Sequence, residues 1–77
     1  MPMTKLRASR LVRYHFIIRA PDDAHDDPEG VMLPGTIAAR AYGHRIVREL
    51  KEGGYDPPGA VLHVQDETGQ TIHCVAF

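Results

Sequence analysis

Tryptophan is absent from this chain, and cysteine occurs once, at Cys74, in 77 residues. A single thiol closes no internal disulfide, which excludes a disulfide-stapled miniprotein and points to the cytoplasm rather than an oxidising compartment. Long apolar runs are missing too. None approaches the roughly 20 residues needed to cross a bilayer, so no membrane partner is expected. The segment before Tyr14 is basic but holds no apolar stretch of the kind a secretory signal requires. Strong net charge is also lacking. The formal value is -1, so no whole-molecule field draws the chain to nucleic acid or to an anionic surface. Finally, the chain has no Cys-x-x-Cys or His-Glu-x-x-His spacing, no glycine-rich phosphate loop, and no recognisable Ser-His-Asp set. The expectation is a protein that is not an enzyme and carries no cofactor.

What is present is ordinary globular composition, with 43% apolar and 25% charged residues. A chain this short makes one domain with a limited core, and oligomerisation is a common supplement at this size. Charge is unevenly spread. Lys5, Arg7, Arg10 and Arg13 are followed by Asp22, Asp23, Asp26, Asp27 and Glu29. The chain therefore divides into a basic arm over residues 1–10 and a single domain over 11–77.

Within that domain, Val12, Tyr14, Phe16 and Ile18 alternate with Arg13, His15, Ile17 and Arg19, the period of a half-buried strand over 11–19. The Asp- and Pro-rich residues 20–29 read as a loop, and residues 30–33 as a second strand folding back on the first. After Pro34-Gly35, the apolar positions Ala39, Gly43, Ile46, Val47 and Leu50 form one stripe of a helix over 36–52. A glycine inside that stripe implies close approach of the helix to a sheet. Gly53-Gly54 supply its stop and Pro57-Pro58-Gly59 a stiff turn. Residues 60–66 and 70–77 read as a hairpin around Glu67-Thr68-Gly69, a type I turn with glycine in the bulge position. The register this implies pairs Val64 with Ile72, His63 with His73 and Leu62 with Cys74. The expected fold is α+β: a ββαββ chain whose four-stranded, mostly antiparallel sheet has one helix on one face.

Three segments carry a family likeness: Arg13-Tyr14-His15-Phe16, then Asp27-Pro28-Glu29-Gly30-Val31 with Leu33-Pro34, and Val64-Gln65-Asp66-Glu67-Thr68-Gly69 closing on Val75-Ala76-Phe77. Their order and spacing over residues 13–77 resemble a family of very small bacterial proteins that is a domain of unknown function. The resemblance implies one compact domain and no activity, cofactor or catalytic residue. This chain departs from the pattern in its basic arm, in Gly35 where a helix-capping Asp is usual, and in His15, His44 and His73.

The candidate sites follow from the expected faces. One helix covers one side of a sheet, so Leu11, Ile17, Val61, Val75 and Phe77 are expected on the bare side as an apolar interface for a homodimer or another protein partner. The opposed His63 and His73, joined by His15 from the first strand, are candidate ligands for Zn²⁺, Ni²⁺ or Cu²⁺. A solvated polar surface accounts for the same three residues. Lys5, Arg7 and Arg10 in the arm, with Arg40 and Arg48 on the helix, are the candidate nucleic-acid contacts, with a solvated helix face as the alternative. The acidic loop lacks the layout of an EF-hand and reads as a solvated turn. Cys74 is expected on the helix side as a small apolar residue, without a base beside it.

Overall fold

The computed structural model describes residues 10–77; the expected arm contacts Lys5 and Arg7 lie outside them. Among these described residues, five strands and one helix follow in the order β1 (Val12–Ala20), β2 (Asp23–His25), β3 (Val31–Leu33), α1 (Thr36–Glu52), β4 (Val61–Gln65) and β5 (Thr71–Ala76). The sheet runs β2-β1-β4-β5, and β3 pairs with β1. Every pairing is antiparallel.

The four expected strands are present, and the acidic loop adds a fifth. Ala20 pairs with Asp23 across Pro21 and Asp22. This two-residue turn contains no residue of positive φ, so Pro21 supplies the fixed φ that a type I turn wants at its first central position. Asp23 and Ala24 are poor strand formers, and β2 exists because Ile18, Arg19 and Ala20 offer it a ladder. Between β2 and β3 the ladder along β1 is interrupted, and Asp27 fills the gap. Its carboxylate accepts the Phe16 N–H at 3.0 Å and the Gly30 N–H at 3.1 Å. That is the work of part of the acidic run.

The helix spans the residues its periodicity predicts. Ala39, Gly43 and Val47 are buried, with Tyr42, Ile46 and Leu50 packed at the edge of the core. Its end is a Schellman arrangement: Gly54 N–H reaches Lys51 O and Tyr55 N–H reaches Leu50 O at 2.8 Å. Its start is bare. Gly35 makes no side-chain cap and no acid lies in the first turn. The Gly35 backbone is extended and a Cβ there meets nothing within 4 Å. Gly35→Asp should therefore raise stability by about 0.5–1 kcal/mol, through the cap, the helix dipole and a less flexible unfolded chain. A urea titration that shows no upward shift of the midpoint would contradict this.

The core is Tyr14, Phe16 and Ile18 of β1, Leu62 and Val64 of β4, Val75 of β5, and Ala39 and Val47 of α1. The helix lies over β4 and β5, while Tyr42 reaches across to Phe16, ring centres 4.9 Å apart.

The last hairpin corrects the expected register. Its turn forms as expected, with Asp66 N–H to Gln70 O at 2.9 Å and Gly69 in the left-handed region. Gln65 pairs with Thr71, but Val64 then pairs with His73, His63 with Cys74 and Leu62 with Val75. Ile72 is the extra residue of a β-bulge. The physical reason is burial. An unbroken ladder would turn Cys74 and Ala76 to the helix and leave Val75 and Phe77 outside. Burying Val and Phe is worth about 1.5–3 kcal/mol each, against roughly 1 kcal/mol for one ladder hydrogen bond. The bulge keeps Ile72 against the core and brings Val75 and Phe77 in.

Candidate functional site

The bulge decides what stands on each side of β5, and three of the chain's histidines change neighbours because of it. His63 and His73 do not face each other. His73 turns to the helix side and meets His44, with the two Nε2 atoms 3.0 Å apart and ring centres 5.1 Å apart. One imidazole donates to the other, so the pair joins α1 to β5. His63 stays on the open side, where Cys74 sits opposite it with Sγ 3.5 Å from Nδ1. Cys74 is thus an exposed free thiol beside an imidazole, not a helix-facing residue. His15 is on the open side too, but its Nδ1–H donates to Asp27 O at 2.6 Å, holding the ring to the acidic loop. The expected His63–His73–His15 ligand set is therefore not assembled.

The expected apolar interface is also divided. Val75 is 7% exposed and belongs to the core, and Phe77 packs against that core and edge-on to Tyr55 at 5.9 Å. Both leave the open side. Leu11, just before β1, is exposed, and Ile17 and Val61 are half-buried in the ladder, Ile17 opposite His63 and Val61 opposite Arg19. Of the basic candidates, Arg10, Arg40 and Arg48 are exposed.

Among the described residues, β5 is one end of the sheet and β2 the other. Phe77 N–H bonds Ala60 O, and the antiparallel alternation that follows turns the N–H and C=O of Ala76 and Cys74 away from β4. They project from an edge whose six residues, Thr71–Ala76, include no charged residue and no proline.

A further cluster was not singled out in the sequence. Tyr55 O–H donates to Asp23 Oδ2 at 2.7 Å, and the same oxygen meets His25 Nε2 at 3.1 Å. The bond from Tyr55 and the contact with His25 hold the Asp23 carboxyl below its usual value, and the same bond raises the Tyr55 phenol. The cluster clips β2 to the segment after the helix. Its signal is long-range, an Asp-x-His and a Tyr thirty residues on, and no local period reveals it.

Partial burial, then the charges of Arg40 and His44, hold His73 below its ordinary value of 6.5. The unfolded chain then takes up more protons than the folded one as pH falls through that value. The stability His73 contributes is complete above about pH 6.5 and declines below it. The urea midpoint should fall between about pH 7.5 and about pH 5.5, and fall less in His73→Gln. Equal pH slopes in the two proteins would contradict the assignment.

No helix among the described residues is long and apolar enough to cross a membrane. A family model described as a domain of unknown function (DUF6894) matches residues 13–77. No curated protein and no solved structure matches the chain.

Proposed function

The chain belongs to the DUF6894 family of domains of unknown function, and from that premise we propose that it is a non-enzymatic interaction or regulatory module of the cytoplasm that pairs with a second copy of itself along β5. The observation that carries this reading is the uncharged, proline-free edge of Thr71–Ala76. Sheet edges left bare are templates for pairing, and proteins that stay single blunt them with lysine, proline or a covering segment. Antiparallel addition of β5 to β5 of the second copy satisfies the outward groups of Cys74 and Ala76 and continues the sheet through the pair. The open faces of the two copies, with Ile17, Val61 and Ala76, then form one surface on which a further partner can rest.

The energetics set the strength. Each cross-edge hydrogen bond is worth about 1 kcal/mol net, and association costs at least about 4 kcal/mol. The dimer is accordingly weak and concentration-dependent. Sedimentation equilibrium from about 1 to about 500 µM should show a monomer passing to a dimer. Ala76→Pro removes an outward N–H and no internal ladder bond. It should leave the fold intact and keep the protein monomeric throughout. A wild-type protein that is monomeric at the highest concentration, or an Ala76→Pro variant that dimerises equally, refutes the edge reading.

A further inference from the structure

The structure assigns His44 and His73 as a two-imidazole binding site for a divalent transition-metal ion of the Zn²⁺, Ni²⁺ or Cu²⁺ class. The inference is independent of edge pairing and rests on geometry. With metal–nitrogen bonds of about 2.0–2.1 Å, two imidazoles on a tetrahedral ion hold their nitrogens about 3.3–3.4 Å apart and their ring centres about 5.2 Å apart. At a right angle the nitrogens are about 2.9 Å and the ring centres about 4.5 Å apart, so the tetrahedral arrangement is the nearer one. Here the Nε2 atoms are 3.0 Å apart and the ring centres 5.1 Å apart. The two side chains therefore need to open by only a few tenths of an ångström to admit an ion.

The chemistry is balanced without another reactant. In the pair, one Nε2 carries a proton that the other accepts. Moving that proton to Nδ1 of the same ring leaves both Nε2 lone pairs directed at the ion, and both rings stay neutral. Imidazole nitrogen suits this class of ion over Mg²⁺ or Ca²⁺.

Among the described residues no third His, Cys, Asp or Glu completes a group of ligands. The remaining coordination positions are open to water or to a donor from another molecule. Such a site is exchangeable rather than structural, because closed structural zinc centres carry four protein ligands. It gives the chain a way to sense metal at the junction of α1 and β5. The positive charge of Arg40 beside His73 opposes the ion, which supplies a sign to test.

The experiment is calorimetric titration of the full chain with Zn²⁺ at neutral pH, for the wild type and for His44→Ala, His73→Ala, Arg40→Ala and Cys74→Ser. His44 is exposed on a helix and alanine is the better helix former, so His44→Ala folds and is the decisive variant. Affinity should fall about tenfold or more in both histidine variants, given that even residues which only orient a ligand cost that much. Arg40→Ala should bind more tightly, and Cys74→Ser, on the opposite side of the sheet, should bind like the wild type. Imidazole proton resonances of His44 and His73 should shift together as Zn²⁺ is added. The assignment is overturned if the wild type takes up no Zn²⁺, if His44→Ala binds as the wild type does, or if Cys74→Ser alone abolishes binding.

Discussion

Replacing Gly30 with alanine should cost the domain about 3 kcal/mol or more, a fall in Tm on the order of 15 °C for a chain of this size. Gly30 has φ +70, and a Cβ built on it would stand 2.6 Å from Tyr14 O, 3.0 Å from Arg13 Cγ and 3.1 Å from His15 Cε1. The first of these contacts is with backbone, so no rotamer change relieves it. A left-handed conformation costs a non-glycine residue about 1–2 kcal/mol by itself. The remainder comes from pushing β3 off β1, which also disturbs the Asp27 carboxylate bound to Phe16 and Gly30. Thermal or urea unfolding of Gly30→Ala measures it. A loss below about 1 kcal/mol would mean that the crossing of residue 30 over β1 is looser than the structure shows.

The second large effect is expected at Gly43, and there the size of the substituent matters. A Cβ would lie 3.0 Å from Val64 Cγ2, 3.3 Å from Leu62 Cδ2 and 3.7 Å from Val75 Cγ2. Alanine gains about 1 kcal/mol of helix propensity and loses a similar amount to crowding, because Leu62 and Val64 are among the most deeply buried side chains. Gly43→Ala should therefore lie within about 1 kcal/mol of the wild type. Valine adds two further carbons with nowhere to go and must lift α1 from β4 and β5. Gly43→Val should cost about 3 kcal/mol or more. His44 follows Gly43 directly, so the same displacement should break the His44–His73 contact. A well-folded Gly43→Val in which the resonances of His44 and His73 keep their wild-type positions would contradict the close packing on which the site depends.

Much of this architecture is legible locally. The period of two in β1, the 3.6-residue stripe from Ala39 to Leu50, the glycine in that stripe and the Glu67-Thr68-Gly69 turn all act through neighbours a few residues away. Each appears in the structure where its pattern places it. What escaped the sequence reading depends on choices between distant groups. β2 has a composition that argues against a strand and forms only because β1 offers an edge. The bulge at Ile72 sets one ladder bond against the burial of Val75 and Phe77. Its trace in the sequence is a change of phase, with Ile72 in step with the turn and Val75 and Phe77 in step with the core.

The candidate site inherits that single shift. An unbroken register makes a His63–His73 pair and hides Cys74. The bulged register separates them, giving His73 to His44 and Cys74 to His63. His44 stands four residues from both Arg40 and Arg48, which puts it on their side of the helix surface. Its partner carries no such mark, because helix-to-strand contacts leave no period in either element. The acidic run shows the same limit. Read as a solvated turn, it contains Asp27, which replaces a piece of β-ladder, and Asp23, which binds Tyr55.

Amide hydrogen exchange at Cys74 and Ala76 tests the role of β5 most directly, since the N–H groups of both point away from β4. Pairing of β5 with a second copy predicts that these two amides become progressively protected as protein concentration rises, while those of Val75 and Phe77 are protected throughout. Free exchange of Cys74 and Ala76 at every concentration would contradict it.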